Sequence, residues 1–477
     1  MAISLIAKPQ SITPAYNEVK YIYDSTNNGE EGFRYIYDIY PSGVGTKIAE
    51  YRLLPNLDGY GEIDLSRLLQ GYVSYDFFKT NTTFYDATNC SYTYTVKVGE
   101  EYIETVSYTS SLTQNGTYVK ITATHAFAVG DQVTITQTDG GVANPNLEGL
   151  FTVTEINTTT AFTVNSLWSE VTDATIDGAV AYADKRKTVT RDVVTVAGVF
   201  AINGAIPFAG MPAYDELDYI LTANTDLPLT TSPLEFKNTL TQDMWIHFIA
   251  PTELAGYIYF ENSTGDIFRK PTTPTGLIFG SSVGANNFGS PTLVSGSGAL
   301  IEDDVDYYDY WYADSSGTQH SIKHRIILDR RCKINDYEIA FMDRLGSIGS
   351  FAFQLREKLT GSVKKEVYNQ HIEGSVTSTE WSYDTEAQGK KVINPRIEET
   401  YELQTNWMTE EENDYFSELI SSPITYLKTG VDPVSSSSLY YACIIQDTGY
   451  EKERNRNRNL IRKSIKVMLA VQDRVNG

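Results

Sequence analysis

Cysteine, histidine and long apolar runs are all scarce in this chain, and each scarcity removes a class of chemistry. Its 477 residues hold three cysteines, Cys90, Cys332 and Cys443. These stand far apart, with no CxxC pair and no Cys/His cluster, so neither a disulfide framework nor a zinc site is written in the spacing. Buried free thiols in a reducing compartment are the expectation. The five histidines are His125, His247, His320, His324 and His371. His320 and His324 stand four apart, as metalloprotease histidines do, but the string HSIKH lacks the glutamate that would act as general base. The sequence is read as holding no G-x-S-x-G elbow, P-loop or dinucleotide-binding glycine fingerprint. No apolar stretch reaches the length of about 18 residues that a membrane helix needs. The opening MAISLIAKPQSITPAY has too few apolar residues before Lys8 and Pro9 to be a secretion signal. The sequence therefore predicts a chain made in the cytoplasm, without membrane insertion, cofactor or enzymatic activity.

What the chain has in abundance is tyrosine, 34 residues against 19 phenylalanines, beside many threonines and valines. β-branched and aromatic side chains fit a pleated, half-buried surface, so the composition leans to strands. The 61 acidic residues outnumber the 38 basic ones, a net charge of −23. That balance opposes a general nucleic-acid or anionic-membrane surface and favours protein or glycan partners. The fold class predicted is mainly β: a multidomain β-sandwich or barrel with a small inserted β-barrel and a C-terminal α+β domain.

Short strands between turn signals fill the first hundred residues. The string Tyr-Ile-Tyr-Asp occurs twice, from Tyr21 and from Tyr35, and reads as the two arms of one hairpin. Asp64 is a candidate N-cap for a short helix carrying Leu65, Leu68 and Leu69 and ending at Gly71. The texture then turns to Thr, Val, Gly and Asn, with clean alternation at 118–122 and 133–136. Residues 111–184 are read as a small β-barrel inserted into an N-terminal sandwich formed by 1–110 and 185–250. Residues 251–330 are read as a middle β region, with a hairpin over 245–260 and loop over 271–298. The acidic, aromatic run 302–314 is read as a solvated loop, which lacks the spacing of a calcium site. Its rings, Tyr310 and Trp311 foremost, could line an interface, since such side chains supply contact area with a polar handle.

The last part, 331–477, is read as an α+β assembly domain. Strands at 337–342 and 351–355 flank a turn at 346–349. Thr409 and Glu412 form a capping box, and Tyr415, Phe416, Leu419 and Ile420 share one stripe of the helix that follows. A terminal hairpin over 441–446 and 461–471 alternates Ile465, Val467, Leu469 and Val471 with Ser464, Lys466 and Met468. Between Glu451 and Arg474 lie eight basic and three acidic residues, leaving 30 basic and 58 acidic elsewhere. Two readings fit: a basic arm that docks on an acidic neighbour, or a solvated ribbon. Arg454, Arg456, Arg458, Arg462 and Lys463 are the interface candidates. Nucleic acid is a poor fit, because the arm has no interleaved aromatics.

The stretch DRRCKINDYEIAFMDRLGSIGSFAFQL, residues 329–355, resembles a recurrent segment of virion proteins of tailed phages infecting Bacteroidetes, crAss-like phages included. The run from Trp407 through Leu419-Ile420-Ser421-Ser422-Pro423 to the basic hairpin resembles the ends of such proteins. The opening hairpins followed by Gly61-Glu62-Ile63-Asp64-Leu65 fit them too. The resemblance implies a tail, neck or baseplate component located in the virion. Its implied partners are copies of itself and neighbouring virion proteins, and it carries over no catalytic residues. A head-to-tail contact between copies closes into a ring when the rotation permits. On this reading, deleting 451–477 leaves soluble but unassembled protein. Two alternatives stand beside it: an adhesin that contacts host surface glycan through the aromatics of 307–312, and a glycan hydrolase with a carboxylate pair.

Overall fold

A computed structural model gives the fold. It describes residues 3–42, 45–78, 84–103, 105–108, 112–142, 144–175, 177–182, 187–250, 255–330, 337–372, 374–377, 379–383, 386, 389–431, 438–447, 461–470 and 473–474. The chain is mainly β, a set of sheets and sandwiches with one substantial helix near its C-terminal end. By contacts it divides into two compact units. The first holds Met1–Thr13, Glu18–Arg67 and Thr93–Phe200, and the second holds Pro14–Asn17, Leu68–Tyr92 and Ala201–Gly477. The boundaries expected at 250 and 330 fall inside the second unit, where one buried cluster runs from Leu221 to Val467.

In the first unit a three-stranded sheet (Ile3–Ala7, Lys20–Ser25, Gly61–Asp64) accompanies a five-stranded one built on Ser91–Ile103, Arg34–Pro41 and Ala49–Leu53. Tyrosines fill its interior: Tyr21, Tyr23, Tyr35, Tyr37 and Tyr94 are buried. The Tyr21 and Tyr94 hydroxyls share a hydrogen bond of 3.0 Å, and Tyr23 meets Tyr37 edge-on at 5.9 Å between ring centres. Aromatic rings supply the buried area, and their hydroxyls need partners once they leave water. The two Tyr-Ile-Tyr-Asp strings are both strands but not one hairpin. Lys20–Ser25 pairs with Ile3–Ala7 and Gly61–Asp64, whereas Arg34–Pro41 pairs with Ala49–Leu53 and Ser91–Ile103. Burial in two different sheets outweighs the nearness of the arms in sequence. The Asp64 carboxylate accepts from the Ser66 backbone N–H at 2.9 Å, opening the short helix Ser66–Leu69.

Strands between Thr105–Tyr108 and Gly178–Tyr182 make a separate seven-stranded antiparallel sheet. One face buries its own cluster, including Val119, Ile121, Val133, Ile135, Phe162 and Val164. These are the inward positions of the alternation, as a half-buried strand requires.

The second unit opens with a six-stranded sheet in the order Glu235–Thr239, His324–Asp329, Tyr307–Asp314, Gly256–Asn262, Ile267–Thr272, Thr292–Ser295. A three-stranded sheet of Trp245–Ile249, Ile278–Ser282 and Phe84–Asp86 shares the same core, through Phe279 packed on Tyr312 at 5.5 Å between ring centres. Trp245–Ile249 therefore pairs with Ile278–Ser282, not with 256–260 as expected, and 271–298 holds two strands. The acidic run is a loop only over 302–306, where Glu302, Asp303, Asp304 and Asp306 are exposed. Tyr307–Asp314 is an inner strand whose Tyr308, Tyr310 and Tyr312 point into the core, so Asp309 and Trp311 alternate on the outer face.

Six further strands close on themselves. Tyr337–Met342 pairs with Ile348–Asn369 and with Thr425–Val431; Thr425–Val431 pairs with Ser438–Ile445, and Ser438–Ile445 with Ser464–Leu469. Lys390–Thr405 joins Ser464–Leu469 back to Ile348–Asn369, which completes an antiparallel barrel. Helix Glu410–Ser421 carries the expected capping box at Thr409 and Glu412. Its Tyr415 and Phe416 pack on Phe236, Phe341 and Phe351. Gly349 makes that packing possible, because a Cβ there would collide with the Tyr415 hydroxyl.

Candidate assembly surface

The expected interface residues separate in the structure. Tyr310 is a core residue, 1% exposed, with its ring stacked on His324 at 5.5 Å. Trp311 is on the outer face but has neither ring face open: Tyr259 stacks on one at 5.5 Å, and Lys323 Nζ sits 4.1 Å from the ring centre. Beside it, the Arg325 guanidinium lies over Tyr307 at 4.0 Å and donates two hydrogen bonds to Asp309. A ladder of cation–ring and ion-pair contacts therefore occupies the face on which a glycan would have stacked. Arg462 lies 5.1 Å over Trp407, and the Lys463 backbone N–H donates to Thr405 Oγ1 at 3.0 Å. Arg454, Arg456 and Arg458 lie outside the described residues, as does Cys332.

The histidine pair does not converge. His320 Nε2 is 3.2 Å from Asp314, whereas burial holds His324 down to about 4. Among the described residues no group of three His, Cys, Asp or Glu could hold a metal ion, the 302–314 run included. The string Gly280-Ser281-Ser282-Val283-Gly284 has the G-x-S-x-G spacing of a nucleophile elbow. Ser282, however, is a fully buried residue within an antiparallel sheet, not at a strand-to-helix turn, and its Oγ faces the buried Lys270 Nζ at 3.3 Å. A cavity of about 380 Å³ is lined by Asp343 and Glu418 among others. Burial, with Glu418 beside it, pushes the Asp343 carboxyl up to about 7. Its oxygens accept from Thr230 and Thr231 on one side and from the Leu345 and Ser347 N–H groups on the other, which fastens the 343–347 turn.

The feature that sequence reading missed is a long ribbon. In Ile348–Asn369 the residues up to Gln354 are in the barrel wall, whereas those from Leu355 onward are almost all exposed. Among the described residues this distal part pairs on one side only, with Lys390–Thr405, which itself pairs with Ser464–Leu469 over 400–404 and with Asp473–Arg474 at 396–397. Register places Leu359 opposite Tyr401 and Val363 opposite Ile397 on one face, with Lys358 opposite Glu402 and Ser362 opposite Glu398 on the other. Val363 is 54% exposed; near the tip, Val376 is 71% and Trp381 is 45% exposed. Alternating Leu, Val and Ile among Lys, Thr and Ser was the available signal, interrupted by Glu357, Gly361 and Lys365.

No family model and no curated protein matches the chain. Among solved structures it aligns with a mutant and a methylamine-reacted form of Salmonella alpha-2-macroglobulin. Identity is 8% and 9%, coverage is 98% and 100% of this chain against 37% and 38% of those chains, and both TM-scores are 0.13. Trypsin-activated alpha-2-macroglobulin from Escherichia coli aligns at 9% identity over 84% of this chain and 40% of that one, with a TM-score of 0.10. The chain spans well under half the length of these proteins, and likeness of this degree carries no argument about function.

Proposed function

We propose that this chain is a structural subunit of a tailed-phage virion, in a tail, neck or baseplate ring, and that it assembles through contacts between its own copies. The ribbon carries the reading. Among the described residues its distal end, 366–369 against 390–393, is two-stranded, and a two-stranded ribbon is marginal in water by itself. This one also presents an apolar stripe and, among the described residues, a strand edge along 358–369 that takes up no further strand. Apolar stripes of this kind mark interaction surfaces, and free edges take up a further strand. The resemblance of residues 329–355 and of the C-terminal run to phage virion proteins supplies the setting.

The test is sedimentation of the full chain beside a Leu359→Glu/Val363→Glu variant, with peptide identification in purified particles. Both positions are exposed, so the variant keeps its fold. The expected result is a multiple of the 53.3 kDa chain mass for the unaltered protein and a single chain for the variant. A single chain in both, with no peptide of it in any particle, overturns the reading.

A further inference from the structure

Away from the ribbon, three ionisable side chains, Glu338 and Lys428 of the barrel wall and Asp243 from outside it, are in mutual contact and out of water. Glu338 stands directly opposite Lys428, and Lys428 directly opposite Tyr440, so the three side chains form one row across adjacent strands. Asp243 reaches the row from the turn ahead of Trp245–Ile249. Lys428 Nζ lies 2.9 Å from Asp243 Oδ2 and 3.1 Å from Glu338 Oε2. Asp243 is 1% exposed, Glu338 2% and Lys428 7%.

The surroundings hold the group rigid and polarise one carboxyl. Asp243 Oδ2 accepts from Ser438 Oγ and from Tyr440 Oη, both at 2.7 Å, and Oδ1 accepts from Asn286 Nδ2 at 2.6 Å. Tyr440 Oη also reaches Glu338 Oε1 at 3.0 Å. The Asp243 backbone N–H donates to Glu338 Oε2 at 3.1 Å, and Lys428 Nζ donates to the Thr241 carbonyl at 2.7 Å. Phe77 and Trp245 pack edge-on against the Tyr440 ring and keep solvent off that side. An amine, a carboxyl pulled on by neutral donors, and a second carboxyl touching the amine are the components of an amide condensation. Proximity in a dry site substitutes for external activation.

From this geometry we propose that Lys428 and Asp243 condense into an intramolecular amide, with Glu338 as the catalytic residue that carries the proton, so that the mature chain is covalently cross-linked between the barrel wall and the turn ahead of Trp245–Ile249. The Lys428 ammonium first gives a proton to the carboxyl side of the contact, which leaves a neutral amine beside a neutral Asp243 acid. Nζ adds to Asp243 Cγ. Glu338 gives its proton to the departing oxygen and takes one from the nitrogen in exchange. The Cγ–N bond forms, a Cγ–O bond breaks, and one water leaves; nothing is oxidised or reduced. A cavity of about 220 Å³ lined in part by Glu338, Lys428 and Asn286 adjoins the contact and can take up that water.

Two further facts agree with this chemistry. Burial pushes the Glu338 carboxyl up to about 8 against the pull of Lys428, so it carries a proton to relay at neutral pH. Burial also opposes the Lys428 charge, although the two carboxyls outweigh it and hold the ammonium above its usual range. The reactive neutral amine is therefore a minor species. A bond that forms once in the life of a chain tolerates that slowness, and its product removes two charges from a core where each is costly.

Intact-mass and peptide-map measurements on the full chain decide the matter. The expected chain is one water lighter than its sequence, with a branched peptide joining Asp243 to Lys428. Lys428→Arg keeps the cation and Glu338→Gln keeps the shape, and each is expected at the full sequence mass. An unaltered chain at full mass, with Asp243 and Lys428 in separate linear peptides, overturns the proposal, as does a water loss mapped elsewhere. A branched peptide that persists in Glu338→Gln overturns the role given to Glu338.

Discussion

At the residue scale, the second unit holds ionisable groups whose pKa values burial moves in opposite directions. His247 is fully buried against the Tyr85 hydroxyl at 3.0 Å, and burial lowers its ring to about 4; His324, stacked on Tyr310, is lowered to about 4 for the same reason. An unfolded histidine titrates near 6.5, so between about 6.5 and 4 the unfolded chain takes up protons that the folded chain refuses. The histidines' contribution is therefore complete above about pH 6.5 and is lost as pH falls through about 4. Asp343, raised to about 7, runs the other way and costs stability as pH rises from its unfolded range to 7. The difference between the unaltered chain and a His324→Phe variant isolates one group. At about 1.4 kcal/mol per pKa unit, the unaltered chain should lose about 3 kcal/mol relative to the variant between pH 6.5 and pH 4. Urea midpoints at both pH values measure this; a constant difference would mean that His324 is not held neutral.

At the scale of elements, the helix Glu410–Ser421 is the clearest local structure. Glu412 donates its backbone N–H to Thr409 Oγ1 at 3.2 Å, and the Glu412 carboxylate accepts from the Thr409 N–H at 2.8 Å. Thr409→Ala should cost about 1 kcal/mol in denaturant unfolding with an unchanged slope. Such a cap can be read from four consecutive residues. So can the Gly346 turn and the terminal hairpin, where Ile465 and Val467 are buried and Ser464 and Lys466 exposed. Partner choice is not local, which is why the hairpins proposed from Tyr21 and from Trp245 failed although their strands exist. The second part of the acidic run, 307–314, failed differently. Its charge hid a period-two alternation in which Tyr308, Tyr310 and Tyr312 face inward. Nothing in the sequence announces the Asp243, Glu338 and Lys428 contact: its members are 90, 95 and 185 residues apart and meet only through strand register.

At the scale of the whole molecule, the barrel changes what a C-terminal deletion tests. Removing 451–477 was expected to leave a soluble, unassembled protein if those residues formed only a docking arm. Ser464–Leu469 is instead a stave of the closed barrel, paired with Ser438–Ile445 and Lys390–Thr405. Its Ile465 and Val467 are buried in the core. Exposing two such side chains costs about 3–6 kcal/mol, before counting the opened strand edges on both neighbours. Against a typical stability of about 5–15 kcal/mol, that loss unfolds the second unit. The informative truncation lies at the other end of the long ribbon. Asn369 is paired directly with Lys390, so a two-residue Asn-Gly turn can replace 370–389 without altering the register. The shortened chain should unfold at the same temperature as the full one, because none of the described residues among those excised belongs to the buried cluster. The 451–477 deletion should instead collect in the insoluble fraction. A soluble, cooperatively melting 451–477 deletion would show that the barrel does not need its Ser464–Leu469 stave.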